Sequence, residues 1–299
     1  MTACASTHVE VDPPKPPEQA VAAPVAPVAP KAAPRELPRG GRTIFPTYRL
    51  VGFCGTPGAP ALGPLDGNLA KKAALVEDYG NKYAAGRKPL PVFELIATIA
   101  QAGAGSDGKY RSHVEDAVVD RYLKAAREAK AILLLAIQPG QSDFISELKH
   151  FEKYLHEPDV GVALDPEWLV KAHQQPGKFY GHTTGGVLDE VATYLEAIVT
   201  KDDLPEKVMV FHQLAKHIVS EEENIKSHPG VVVIKSVDGL GPKWTKIVTY
   251  NYVIKTMPPT VHAGFKLFFD EDTRLGDKKL MTPTEVLALK PQPEYIMYE

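Results

Sequence analysis

Asp165-Pro166-Glu167-Trp168 is the stretch of this chain whose residue types and spacing point most directly to chemistry. Two carboxyl groups this close cannot both ionise freely in a partly desolvated site, so one is held protonated near neutral pH. A protonated Glu167 can act as a general acid toward a leaving-group oxygen, with Asp165 tuning its pKa or its orientation. A second carboxylate is needed as base or nucleophile, and Asp270 and Asp238 are the candidates. Each has a plainer reading: Asp270-Glu271-Asp272 as a solvated loop, Asp238-Gly239 as an ordinary turn. Gln138 suits hydrogen bonding to substrate hydroxyls or caps the Pro139-Gly140 turn, and His212 either binds substrate or is a satisfied buried histidine.

Other reaction classes have less support. Asp165, His212, Asp238 and Asp270 offer oxygen and nitrogen donors for a metal-assisted hydrolysis. Against this, the sequence has no His-Glu-x-x-His and no His-x-His, and His212 and His217, five apart, do not share a helical face. No Gly-x-Ser-x-Gly elbow occurs. Cys54 ends an apolar run and reads as a small buried residue rather than a nucleophile. No metal and no cofactor is assigned.

The elements that must position these residues are short apolar runs separated by amphipathic stretches. The runs lie at 48–54, 92–100, 131–138, 160–164, 207–212, 231–237, 265–269 and 294–298. Helical stretches fall near 68–85, 113–130, 142–155 (with Ser142 as N-cap), 186–200, 214–227, 243–255 and 284–289. Eight runs alternating with seven helices over about 255 residues match a (β/α)₈ TIM-type barrel, an α/β fold. An open doubly wound sheet is the alternative, but Gly55-Thr56-Pro57-Gly58 lacks the glycine spacing of a phosphate-binding turn.

Alternation along each strand separates interior from helix-facing side chains. In the fourth run Val160, Val162 and Leu164 face the helices, which places Asp165 and Glu167 on the interior parity. The third run turns Leu134, Ala136 and Gln138 inward, and the seventh Lys266, Phe268 and Asp270. An interior ammonium needs a partner, and Glu94 or Asp270 is in position to supply one to Lys266. Gln138, Asp165, Glu167, His212, Asp238 and Asp270 thereby converge on the C-terminal rim, where barrel enzymes carry their active sites.

The Asp-x-Glu at the end of the fourth run resembles that of chitinase-like and lysozyme-like barrel glycoside hydrolases, in which the Glu is the acid. The longer Asp-rich motif that precedes the chitinase Glu is absent, since Gly161, Val162 and Ala163 occupy those places. The resemblance implies a glycoside hydrolase acting on a poly- or oligosaccharide, with Glu167 as the acid. Rings that stack on pyranose faces would complete such a site. Trp168 beside the carboxylates, Tyr180 in the long loop 168–185 and Trp244 after the sixth run are the candidates. A non-catalytic carbohydrate-binding barrel is the competing expectation, prompted by the unreactive Ala136 near the end of the third run.

Ahead of the barrel, residues 1–42 are expected to be a disordered Pro/Ala-rich linker, with the barrel at 43–299. Of the 27 prolines, nine fall within the first 38 residues, and proline supports neither ladder of hydrogen bonds. Thr2-Ala3-Cys4-Ala5-Ser6 resembles the end of a bacterial lipoprotein signal, which implies Cys4 as a lipid-anchor site and a location in the bacterial cell envelope. The net charge of -3 supplies no pull toward nucleic acid. The expected partner is a carbohydrate, with membrane contact only through the anchor.

Overall fold

Eight parallel strands close on themselves in the computed structural model, which describes residues 1–3, 35–276 and 278–299. They are β1 Tyr48–Gly55, β2 Lys88–Ala100, β3 Ile132–Ile137, β4 Val160–Leu164, β5 Lys207–Gln213, β6 Val231–Val237, β7 His262–Leu267 and β8 Tyr295–Tyr298. Each strand pairs with its neighbours in sequence, and β1 pairs with both β2 and β8, so the barrel is closed. The fold is a (β/α)₈ barrel. Cys4, expected as a lipid-anchor site, and most of the expected linker lie outside the described residues.

Helices α1 Leu69–Lys82, α2 Asp116–Glu128, α3 Phe144–His150, α4 Glu152–Leu155, α5 Gly185–Asp202, α6 Lys243–Val253 and α7 Pro283–Leu287 lie in the connections. Their starts follow capping chemistry: Asn68 accepts from the Lys71 amide, Thr184 from Val187, and Thr282 forms a capping box with Glu285 just before Pro283. The expected helix at 142–155 is divided at Phe151, and its N-cap is Asp143 rather than Ser142, since Asp143 Oδ1 accepts from the Ser146 amide at 2.8 Å. No helix among the described residues is long and apolar enough to cross a membrane.

Two further expectations are corrected. The stretch 214–227 is not a helix. It forms two 3₁₀ turns, Lys216–Ile218 and Glu222–Asn224, around a two-residue strand Val219–Ser220 that pairs with Thr183–Thr184 of the long loop. Packing against the barrel also begins before residue 43. Leu37 is buried in the interior cluster with Ile44, Tyr48 and Leu50, and the Tyr48 hydroxyl donates to the carbonyls of Arg39 and Gly40. Arg39 pairs with Glu77, and Arg42 with Asp203 and the Leu204 carbonyl. Residues 37–42 therefore form part of the folded domain, anchored to it by side chains and backbone carbonyls alike.

The alternation read from the sequence holds inside the strands. Val51, Phe53, Leu133, Leu135, Val162, Leu164, Met209 and Phe211 pack under the helices, while Leu50, Val92, Leu134, Ala163, Val210, Ile234 and Met297 fill the barrel. Gly161 is required on the interior side: a β-carbon there would lie 2.5 Å from the Val208 carbonyl oxygen. Interior residues are apolar through most of the barrel. Toward the C-terminal ends the same parity delivers Glu94, His212, Asp238, Lys266 and Glu299 instead.

Candidate active site

A cavity of about 410 Å³ opens above this charged layer. Glu94, Gln138, Asp165, Glu167, Asp238, Lys266 and Glu299 line its base, and Ile96, Trp168, Phe179, Tyr180, Leu240 and Phe268 are among its apolar walls. Both the size and the mixture of apolar wall and convergent polar base are those of a small-molecule site.

The Asp165–Glu167 pair reaches the cavity by two different routes. Asp165 continues β4, its amide donating to the Ile137 carbonyl at 3.0 Å. Glu167 is carried there by the 3₁₀ turn Pro166–Trp168, not by strand alternation. The turn is held from above by the long loop, where the Gly181 amide donates to the Glu167 carbonyl at 2.6 Å. Only glycine fits at 181, because a β-carbon would stand 2.4–2.5 Å from the Leu169 backbone and the Pro166 carbonyl. Glu167 Oε2 is buried with no hydrogen-bond partner in the protein.

Beneath the pair, His212 lies between two carboxylates, with Nδ1 2.7 Å from Asp238 Oδ2 and Nε2 3.4 Å from Glu94 Oε1. Ser236 Oγ donates to the other Asp238 oxygen at 2.8 Å, and the Tyr295 hydroxyl donates to Glu94 Oε2. Lys266 Nζ is 2.6 Å from Glu299 Oε2 and 3.8 Å from Asp238 Oδ2. Burial alone would strip the proton from His212, but Asp238 and Glu94 hold it well above the ordinary histidine value. Burial likewise works against the Lys266 ammonium, and Glu299 and Asp238 more than offset it. Burial opposes ionisation of Glu94 and Asp238 as well, yet the cations His212 and Lys266 bring both below the usual carboxylate range.

Five carboxyl groups thus surround two buried cations, a surplus of three whose effect is greatest on the pair at the end of β4. Desolvation pushes Asp165 up to about 6, with His212 and Lys266 limiting the rise. Desolvation, then the charges of Asp165 and Asp238, drive Glu167 well above the ordinary range. The same setting thus favours the protonated form of Glu167 and the ionised form of Asp238, both of which line the cavity.

The remaining expected site residues divide. Gln138 lines the cavity and its Oε1 accepts from the Ala100 amide at 3.1 Å, so it closes the end of β2 rather than the Pro139-Gly140 turn. Trp168 and Tyr180 line the walls, and His212 is fully buried below the cavity and does not reach it. Asp270 is displaced from the site: β7 ends at Leu267, the chain turns, and Asp270 is exposed while Asp272 takes the buried place beside Lys246. Trp244 stands exposed on α6, away from the cavity. Glu299 enters the site without having been expected, and with Asp238 it is the ion-pair partner of Lys266 in place of the expected Glu94 or Asp270, while Glu94 lies at the base beside His212. Both share the interior parity of their strands, Glu94 with Val92 and Ile96, Glu299 with Met297. Cys54 is buried with Sγ 3.2 Å from Glu299 Oε2, and burial and that carboxylate push its thiol well up. Among the described residues no group of three or more His, Cys, Asp or Glu side chains is arranged to hold a metal ion.

Fold and site together define the class: a (β/α)₈ barrel with a carboxylate-rich cavity at the C-terminal ends of its strands. No family model matches the chain, and neither does any curated protein. Among solved structures it is similar to a spore coat polysaccharide biosynthesis protein, SpsE, from Bacillus subtilis, with 11% identity, a TM-score of 0.35 and 83% of this chain covered. The chain spans 59% of that protein's length. It is also similar to a GH18 chitinase from Pseudoalteromonas aurantia, with 11% identity, a TM-score of 0.32, and 83% of this chain and 93% of that one covered.

Proposed function

We propose that this barrel is a glycoside hydrolase acting on a poly- or oligosaccharide, with Glu167 as general acid and Asp238 as its carboxylate partner. The observation that carries the reading is the unpartnered, buried Oε2 of Glu167 at the base of an open cavity, in a setting that keeps the group protonated. Glu167 gives its proton to the glycosidic oxygen as the bond to the anomeric carbon breaks. Positive charge then develops at that carbon, and the ionised Asp238 faces it. Water supplies the hydroxyl that ends on the anomeric carbon, and its remaining proton restores the acid. Asp165 acts on Glu167 through its charge. Trp168 and the apolar wall of Phe179 and Tyr180 offer stacking surfaces for pyranose rings.

The test is hydrolysis of an oligosaccharide panel by the native protein and by Glu167→Gln. Removing the acid is expected to lower kcat by roughly 10²–10⁴-fold while KM changes little. Cleavage that survives the substitution refutes the assignment. Saccharide binding without cleavage in both proteins makes this a binding barrel instead. Activity abolished by chelation and restored by a divalent ion points to metal-assisted hydrolysis.

We further propose that the N-terminal stretch tethers the barrel to the bacterial cell envelope through lipidated Cys4, a reading supported by the Thr-Ala-Cys-Ala-Ser sequence and the proline-rich stretch behind it. Labelling with a fatty-acid analogue in a bacterial host, present in the native protein and lost in Cys4→Ser, is the expected result.

A further inference from the structure

A second cavity of about 570 Å³ lies where a helix between β5 and β6 would have packed. Lys216, His217, Ser220 and Glu221 form one side of it, and Tyr252 and Thr256 the other. It adjoins the first cavity. Leu214 belongs to the wall of the first and Ala215 to the wall of the second. Tyr180, at the mouth of the first, meets the ring of His217, in the second, with centroids 6.2 Å apart. The pairing of Thr183–Thr184 with Val219–Ser220, and the 3.1 Å bond between His182 Nε2 and Ser220 Oγ, fix the long loop over one cavity to the wall of the other.

We propose that this groove is a distal saccharide subsite, occupied by the continuation of the same glycan chain whose scissile unit enters the first cavity. The inference rests on the glycoside hydrolase reading and adds to it that the substrate is an uncharged chain of several units, bound across both cavities. Three observations carry it. The two cavities adjoin where Tyr180, on the wall of the first, meets His217, on the wall of the second. The groove presents a ring to solvent: Tyr252 is 54% exposed, as Tyr180 is 65% exposed at the first mouth, and such rings offer flat apolar faces for sugar C–H groups. Lys216 Nζ lies 5.5 Å from the Tyr252 centroid, a weak cation–π contact. The charges on the groove are Lys216 against Glu221 and Glu223, with Glu222 neutralised by Lys235, a balance that repels a polyanion and accepts a neutral chain. Ser220 and His217 are hydrogen-bonding groups for ring hydroxyls.

The test is kcat/KM on oligosaccharides of two to six units, drawn from β-1,4-linked glucose, xylose and N-acetylglucosamine series, with native protein, Tyr252→Ala and Tyr252→Phe. Native protein is expected to gain roughly tenfold between the shortest and longest cleaved substrates. Tyr252→Ala is expected to lose roughly that factor on the longest substrate and nothing on the shortest, and Tyr252→Phe to keep it, because the ring and not the hydroxyl does the stacking. Cleavage with no dependence on length, or equal losses on short and long substrates, overturns the subsite and leaves the hydrolase reading standing. Failure of the native protein to cleave any member of the panel overturns the hydrolase reading and the subsite with it. Unchanged thermal midpoints for both variants separate a binding effect from misfolding.

Discussion

Glu167 owes its proton partly to Asp165, and this makes Asp165 the more informative residue to change. Replacing Asp165 by Asn removes a negative charge that raises Glu167, so the alkaline limb of the pH–rate profile is expected to move to lower pH. The same substitution bears on stability. Asp165 titrates near 6 in the folded protein against an ordinary value of 3.8, so the folded state binds more protons than the unfolded chain between those values. Stability therefore falls as pH rises through that window, and Asp165→Asn relieves the loss. Denaturant unfolding is expected to show the variant more stable at pH 7, by on the order of 3 kcal/mol, with the difference vanishing below about pH 4. A variant less stable at pH 7 would show that the carboxylate is a net stabiliser where it stands.

The connection between β5 and β6 is where the fold departs most from its regular form, and one buried ion pair explains how it holds. Lys235 lies on the helix-facing parity of β6 with Val231, Val233 and Val237. The connection supplies no α-helix to cover it. Instead Glu222 folds in, with its two oxygens 2.8 and 2.6 Å from Lys235 Nζ, which also donates to the Val253 carbonyl and to Thr256 Oγ1. Breaking such a pair strands a buried charge, whereas replacing both members by apolar groups does not. Glu222→Ala is expected to lose about 3–5 kcal/mol in thermal or denaturant unfolding, and the double change Lys235→Met with Glu222→Leu to recover most of it. Equal losses in both proteins would mean that the pair itself, and not the avoidance of an orphaned charge, shapes this connection. The missing helix is also what leaves the second cavity open beside Tyr252.

For the whole molecule, Leu37, Arg39 and Arg42 pack against the barrel ahead of residue 43. Protein starting at residue 35 is expected to keep the thermal midpoint of the full chain. Protein starting at residue 43 is expected to lose several degrees, roughly the effect of 1–2 kcal/mol in a domain of this size. Equal midpoints for all three would show that residues 37–42 add nothing to the barrel. This boundary is hidden in the sequence because Leu37 and the arginines stand among prolines and lack any periodicity, and their anchors, Glu77 and Asp203, are far along the chain. The absent helix at 214–227 is hidden for a related reason, since the partner that holds Glu222 is a lysine on the next strand.

Much of the barrel is legible in the sequence itself: eight apolar runs, their order, and the face each side chain takes follow from period-two alternation, a property of the chain alone. The same alternation places Asp165 and Asp238 on the interior, and the parity of Met297 and Val92 carries Glu299 and Glu94 to the same face. It fails for Asp270 because alternation stops where the strand stops, at Leu267, and Trp244, expected only from its place after the sixth run, is turned outward by the helix there. What only the tertiary structure decided is which rim residues share one cavity and where the protons sit. Desolvation and charge act through space, across strands that are distant in sequence. Glu167 differs from an exposed glutamate through its burial first, then through the charges of Asp165 and Asp238, with His212 acting against them.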